Sequence, residues 1–194
     1  MAALVLAAGS SSRMGGPNKL LCQIDGVPLI ERAVRAALDS RCAQVLVVTG
    51  FQADRIEAAL PPGRVSVVRN PDYAAGLATS LRRGVLSLPC DVDAVVIQLA
   101  DMPRVGADHI DRLIEAFDPG QPAIVVPVRG DRRGHPVLWP RRFFAQLGEL
   151  AGDVGAKGLL ERHASQVRAV SFDTEAIFAD VDTPGQLAGA QISI

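Results

Sequence analysis

The sequence predicts a three-layer α/β fold with a mostly parallel central sheet. Two observations carry this. Strand-like and helix-like stretches alternate along the whole chain, and the strand-like ones are apolar runs without polar alternation. Such runs belong to strands covered on both faces, and their alternation with helices gives layers of helix on either side of a sheet. In order, 3–8 is a strand, 29–38 has apolar residues at helical spacing, and 44–49 is a β-branched run. Then 52–60 reads as helix, 65–68 as strand, 77–88 as helix, 94–99 as strand and 109–117 as helix. Strands follow at 123–126 and 136–139, helices at 141–150 and 155–163, and a strand at 167–171. The Arg- and Gly-rich stretch 127–135 reads as a mobile loop over the site. No linker, repeat or low-complexity segment interrupts the pattern, so residues 1–194 form one domain, large enough for a substantial core.

Composition excludes several function classes. A net charge of −1 argues against a general nucleic-acid binder, which shows a basic balance. Cys22, Cys42 and Cys90 lack metal-ligand spacing and read as reduced thiols. The first apolar run is too short to span a bilayer, and no signal peptide precedes it, so a cytoplasmic protein with no membrane partner is expected.

In α/β sheets of this kind ligands bind beyond the carboxyl ends of the strands. The first strand empties there into Gly9-Ser10-Ser11-Ser12-Arg13-Met14-Gly15-Gly16-Pro17-Asn18-Lys19. Small residues let backbone N–H groups approach a polyanion, and Arg13 and Lys19 supply opposing charge. Of 20 basic residues only Lys19 and Lys157 are lysines, and both sit in glycine-flanked loops, which points to phosphate contacts; the plainer reading is two surface lysines. The loop is not a Walker A motif, and a Gly-x-Gly-x-x-Gly fingerprint is absent from the sequence.

Asp101 closes the apolar run Ala94–Ala100, where a carboxylate can hold Mg²⁺ against phosphate oxygens; a turn or helix-cap aspartate is the alternative. Asp180 and Asp182 form a second acidic cluster, in which Asp182 either caps the last helix or contacts the metal. Asn70-Pro71-Asp72-Tyr73 with Gly76 and Ser80 runs from a strand end into a helix. Asn70 offers a donor and an acceptor for a base edge or ribose, although turn chemistry also explains the motif. His135, in Gly134-His135-Pro136, is either structural or part of the site.

The run Leu6-Ala7-Ala8-Gly9-x-Ser11-x-Arg13-Met14-Gly15 followed by Lys19 resembles the signature of the MobA-like nucleotidyltransferases. Further motifs, in the expected order, narrow the resemblance to the molybdenum cofactor cytidylyltransferase (MocA) branch. They are Thr49-Gly50, Asn70-Pro71-Asp72-Tyr73, Asp101-Met102-Pro103, Gly134-His135-Pro136, Gly152-Asp153-x-Gly155-Ala156-Lys157 and Asp182-Thr183-Pro184. The resemblance implies a Rossmann-like fold and transfer of CMP from CTP to molybdopterin, with pyrophosphate released and Mg²⁺ present. It implies nucleotide binding by Ala7, Ala8, Gly9, Arg13, Lys19, Asn70, Gly76 and Ser80. Arg13, Lys19 and Asp101 would be catalytic, Asp101 a metal ligand with Asp182 a second candidate, and His135 and Lys157 candidates for the pterin side. Ala100 stands where many members have glycine. Ala8 replaces the glycine of GTP-using relatives, and its methyl is expected to limit the approach of the bulkier guanine.

A phosphate monoester is largely dianionic at neutral pH, since its second pKa is about 6. The attack therefore needs no general base, only positioning and charge neutralisation. Three alternatives remain: a GTP- or sugar-phosphate-using enzyme of the same fold, a non-catalytic molybdopterin carrier, and an oxidoreductase on this scaffold. A molybdoenzyme or its chaperone is a candidate partner for the product.

Overall fold

The computed structural model describes residues 1–10, 18–62, 64–152, 155–183 and 185–187. Its strands are β1 (Ala2–Ala7), β2 (Gln23–Ile24), β3 (Val27–Pro28), β4 (Gln44–Thr49), β5 (Ser66–Arg69), β6 (Ala94–Leu99), β7 (Ile124–Arg129), β8 (Arg132–Arg133), β9 (Val137–Pro140) and β10 (Val167–Ser171). Its helices are α1 (Leu29–Asp39), α2 (Ala53–Ala58), α3 (Leu77–Leu86), α4 (Ala107–Glu115), α5 (Phe144–Gly148) and α6 (Lys157–Arg162). The main sheet has the order β10-β7-β9-β6-β1-β4-β5, with β8 paired to β7. The β1–β4, β1–β6, β4–β5 and β7–β10 pairs are parallel, whereas β9 runs antiparallel to both β6 and β7. The sheet is thus mostly parallel, as the sequence predicts.

The unbroken apolar pattern of β1 has a direct cause. Ala3, Val5 and Ala7 pack on one face with Ile30 and Val34 of α1 and Ile110 and Leu113 of α4. Leu4 and Leu6 pack on the other with Leu81 and Val85 of α3, Leu147 of α5 and Leu159 of α6. A strand with helices on both sides has no face left for polar residues. Close packing reaches the backbone at Gly84 in α3, where a Cβ would lie 2.6 Å from Leu4 Cδ1.

Predicted strands 44–49, 94–99 and 167–171 coincide with β4, β6 and β10, and the other predicted elements are found with shifted ends. Two hairpins escaped the periodicity. The short β2–β3 hairpin turns at Asp25 (φ 52°) and Gly26 (φ 76°), the left-handed pair that an Asp-Gly turn supplies. Stretch 127–135, expected as a mobile loop, instead continues β7 to Arg129, turns at Gly130 (φ 57°) and returns as β8. Arg129 pairs with Glu175, and the Arg132 guanidinium lies over the Phe178 ring at 4.1 Å, so this hairpin is tied to segment 173–178. None of the helices among the described residues is long and apolar enough to cross a membrane.

Candidate functional site

Parallel strands bring the ends of β1, β4, β5 and β6 to one edge of the sheet. Antiparallel β9 starts at that same edge. Backbone bonds knit the strand ends together: Ala100 N–H donates to Leu6 O (3.1 Å), Phe51 N–H to Ala8 O (3.3 Å) and Asn70 N–H to Thr49 O (2.8 Å). Gly9, Gly50, Asn70, Asp101 and His135, all singled out in the sequence, lie at the ends or starts of these strands. Arg13 lies outside the described residues.

The chemical centre is an ion triad. Lys19 Nζ lies 2.6 Å from Asp101 Oδ2 and 2.6 Å from Asp182 Oδ1, and the three side chains are only 13%, 19% and 30% exposed. Lys19 opens a 3₁₀ turn (Lys19–Leu21) that buried Asn18 caps, its Oδ1 accepting from Leu20 N–H at 3.1 Å and its Nδ2 donating to Phe51 O at 3.2 Å. Asn18 therefore fastens the root of Lys19 to the loop after β4, a role the sequence analysis overlooked, although an Asn before a short helical turn is an N-cap signal. Burial alone would lower the Lys19 pKa, but the charges and hydrogen bonds of Asp101 and Asp182 outweigh it and hold the ammonium above its ordinary value.

The helix starts narrow the readings of the two acidic residues, and Asp101 lies in the turn after β6. Asp101 does not cap α4, whose N-cap is Gly106; its carbonyl accepts from Val181 N–H at 2.9 Å and anchors the chain that carries Asp182. Asp182 is not the cap of the last helix either. Thr183 and Gln186 cap one another: Gln186 N–H donates to Thr183 Oγ1 (3.3 Å) and Thr183 N–H to Gln186 Oε1 (2.9 Å). This reciprocal capping box is legible in Thr183-x-x-Gln186, while the Asp182 carboxylate holds the Lys19 ammonium.

The same residues suit a hard divalent cation. Asp101 Oδ1 is buried and makes no hydrogen bond, leaving an anionic oxygen to spare beside the one that holds the ammonium. Among the described residues no group of three or more His, Cys, Asp or Glu is placed to hold a metal. A pair of carboxylates is the donor set typical of Mg²⁺, which keeps several waters and takes further oxygens from substrate phosphates.

On the β5 side, Asn70 is 3% exposed and both its amide nitrogen and its oxygen bond within the protein. Nδ2 donates to Thr79 Oγ1 and to Ser80 Oγ, each at 2.9 Å, and Oδ1 accepts from Asp72 N–H at 3.0 Å. Instead of holding a free edge outward, Asn70 braces the turn into α3, and Ser80 is buried as its partner. Gly76 starts that helix with φ 109°, a conformation that favours glycine. Ala78 N–H then donates to Gly152 O (3.3 Å), which draws the segment before α6 against the start of α3.

Around β1, Gly9 is exposed, with open space where a Cβ would lie. The Ala8 methyl, expected to limit the approach of guanine, is buried and packs beside Gly50, where an added Cβ would lie 2.8 Å from it and 2.7 Å from Tyr73 Cβ.

His135 is held at the start of β9 by its N–H donating to Ile177 O at 2.9 Å. Burial lowers its pKa, while the negative charges of Asp101 and Asp180 partly offset this, which places the ring beside the acidic cluster. Its Nδ1 is buried and without a hydrogen bond, as are both polar atoms of Gln98. Gln98, 1% exposed within β6 and three residues before Asp101, is a further polar residue the sequence reading passed over, because a lone glutamine in an apolar run carries no motif. Lys157 does not lie in a loop: it is the exposed first residue of α6.

Comparison with known proteins agrees with this fold. The chain is 28% identical over 192 residues to the nicotine blue oxidoreductase of Paenarthrobacter nicotinovorans, covering 95% of this chain and 93% of that protein. It is 25% identical over 191 residues to the molybdenum cofactor cytidylyltransferase of Escherichia coli K12, covering 97% and 94%. It is 31% identical over 194 residues to the molybdenum cofactor guanylyltransferase of Cupriavidus metallidurans, covering 95% and 91%. Among solved structures, Rv0371c from Mycobacterium tuberculosis superimposes with a TM-score of 0.89 at 28% identity, covering 99% of this chain and 97% of that one. A complex of Rv0371c with manganese gives 0.85 at 26% identity, covering 100% and 98%. The sequence profile described as the MobA-like NTP transferase domain matches residues 3–167, and the chain belongs to that nucleotidyltransferase family.

Proposed function

We propose that this protein transfers CMP from CTP to the terminal phosphate of molybdopterin, forming molybdopterin cytosine dinucleotide and releasing pyrophosphate. The observation that carries the reading is the Lys19–Asp101–Asp182 triad at the carboxyl edge of the sheet, where opposite charges meet in a half-buried site. Such a site answers the main difficulty of the reaction, which is bringing one phosphate anion onto another.

An oxygen of the acceptor phosphate attacks the α-phosphorus as the bond to the pyrophosphate oxygen breaks. Asp101 and Asp182 would hold Mg²⁺, whose bound charge relieves the negative charge on the attacked and leaving phosphates. Lys19 and Arg13 hold the triphosphate. The backbone from Ala7 to Gly9 and the rim shaped by Asn70, Gly76 and Ser80 receive the cytidine. His135, Lys157 and the arginines of the β7–β8 hairpin face the pterin side, and a molybdoenzyme or its chaperone takes the product in the cytoplasm.

A second reading has its own support. The likeness to an oxidoreductase extends over 95% of this chain, so redox chemistry on this scaffold is the alternative to test. Pyrophosphate release is measured with CTP and with GTP, given Mg²⁺ and molybdenum cofactor, alongside an absorbance scan for bound flavin. Release with CTP that depends on the acceptor, and that Asp101→Asn abolishes without unfolding the protein, supports cytidylyl transfer. Release with GTP alone keeps the reaction class and overturns the base. Silence with both nucleotides, together with a flavin spectrum, favours the oxidoreductase.

A further inference from the structure

We infer that Lys19 is the resident counter-cation of the Asp101–Asp182 pair and is exchanged for the divalent cation when the site is loaded, so that one ammonium serves two places in turn. The inference rests on the reading of Asp101 and Asp182 as the metal ligands. It adds that Lys19 and the metal compete for the same two carboxylates.

Two carboxylates brought together in a half-buried site repel unless a cation lies between them. Lys19 supplies that cation, with Nζ at 2.6 Å from an oxygen of each, while Asp101 Oδ1 stays buried and unbonded on the far side of its carboxylate. A divalent ion taken up by this pair carries twice the charge and repels the ammonium it displaces.

The lysine side chain is built for the exchange. Its root is fixed by the Asn18 cap and by Leu20, 3% exposed in the core, while the ammonium stands at the end of a flexible four-carbon stem. The triphosphate offers the displaced charge a new set of oxygens. Nucleotide draws Lys19 off the carboxylates and opens them to metal, and metal expels Lys19 toward the nucleotide. Linkage makes the coupling reciprocal: each ligand strengthens the binding of the other through one side chain. Free metal alone meets an occupied seat, so metal and nucleotide load together.

The sequence makes the test simple, because Lys19 and Lys157 are the only lysines and Lys157 is exposed. Reductive methylation is followed at both residues by mass spectrometry, with and without saturating Mg²⁺ and without nucleotide. Mg²⁺ is expected to raise the labelling rate of Lys19 relative to Lys157 by at least about fivefold, the lower end of typical site-to-site coupling. An unchanged or lowered ratio overturns the exchange.

Direct Mn²⁺ binding, read from the electron paramagnetic resonance signal of the free ion, separates this inference from the reading beneath it. Lys19→Met is expected to tighten Mn²⁺ binding about tenfold, and Asp101→Asn to abolish it. Unchanged or weaker binding in Lys19→Met, with binding lost in Asp101→Asn, overturns the exchange and leaves the metal ligands standing. Undiminished binding in Asp101→Asn overturns both.

Discussion

Gly134→Ala perturbs the site from beneath, at the contact that also holds the backbone of His135. A Cβ at position 134 would lie 2.5 Å from Ile177 O and 2.9 Å from Ile177 Cβ and Cγ1. Carbon and oxygen sit comfortably at about 3.3–3.6 Å, so the two chains must part by close to 1 Å. Neither is free to do so. Ile177 is fully buried, its carbonyl already accepts from His135 N–H at 2.9 Å, and Gly134 N–H donates to Pro127 O at 2.8 Å. Overpacking of this kind costs about 1–3 kcal/mol. For a domain of this size each kcal/mol lowers Tm by roughly 2–4 °C, so a fall of about 2–12 °C is expected in thermal unfolding. The same displacement pushes on the segment that carries Asp182 five residues later, so Mn²⁺ binding weakens as well. Gly158→Ala is the control: its Cβ meets nothing within 4 Å, and alanine in a helix is favoured over glycine by about 0.8–1.0 kcal/mol. If Gly134→Ala keeps its Tm within about 1 °C of the parent and its Mn²⁺ affinity unchanged, the packing of β9 against segment 177–182 does not position the acidic residues as argued.

Two further substitutions test the nucleotide side. Asn70→Ala strips partners from the buried Ser80 hydroxyl, from Thr79 and from Asp72 N–H, and is expected to cost about 1–3 kcal/mol in chemical denaturation. It should also weaken nucleotide binding in a fluorescence titration; retained stability would show that the bonds are incidental. Gly50→Ala forces a Cβ to within 2.7–2.9 Å of Tyr73 and Ala8, and should destabilise by about 1–3 kcal/mol. Adding Ala8→Gly should return part of that loss, because the Tyr73 contact remains; a strictly additive double mutant would show that the Ala8 methyl does not press on position 50.

Much of the architecture is legible from the chain. The apolar runs of β1, β4 and β6 lack polar alternation because helices cover both faces, so their pattern announces a parallel sheet, and a parallel sheet collects its strand ends on one edge. The strand-end residues Gly9, Gly50, Asn70 and Asp101 could therefore be placed together before any coordinates. Local signals that went unread were present too, in the Asp25-Gly26 turn, the Thr183-x-x-Gln186 box and the Asn18 cap.

Other features belong to tertiary structure alone. That the Asn70 amide is taken up by Thr79 and Ser80 is set by how its own turn meets α3, and the packing of the Ala8 methyl against Gly50 depends on segments far apart in sequence. So does the meeting of Lys19 with Asp101 and Asp182, residues separated by 82 and 163 positions. A sequence declares which charges are available and at which strand ends they lie. Whether an ammonium rests on phosphate or between two carboxylates is decided by distances of a few ångströms, because charge interactions strengthen as separation shrinks and water is excluded, and only the folded chain sets those distances.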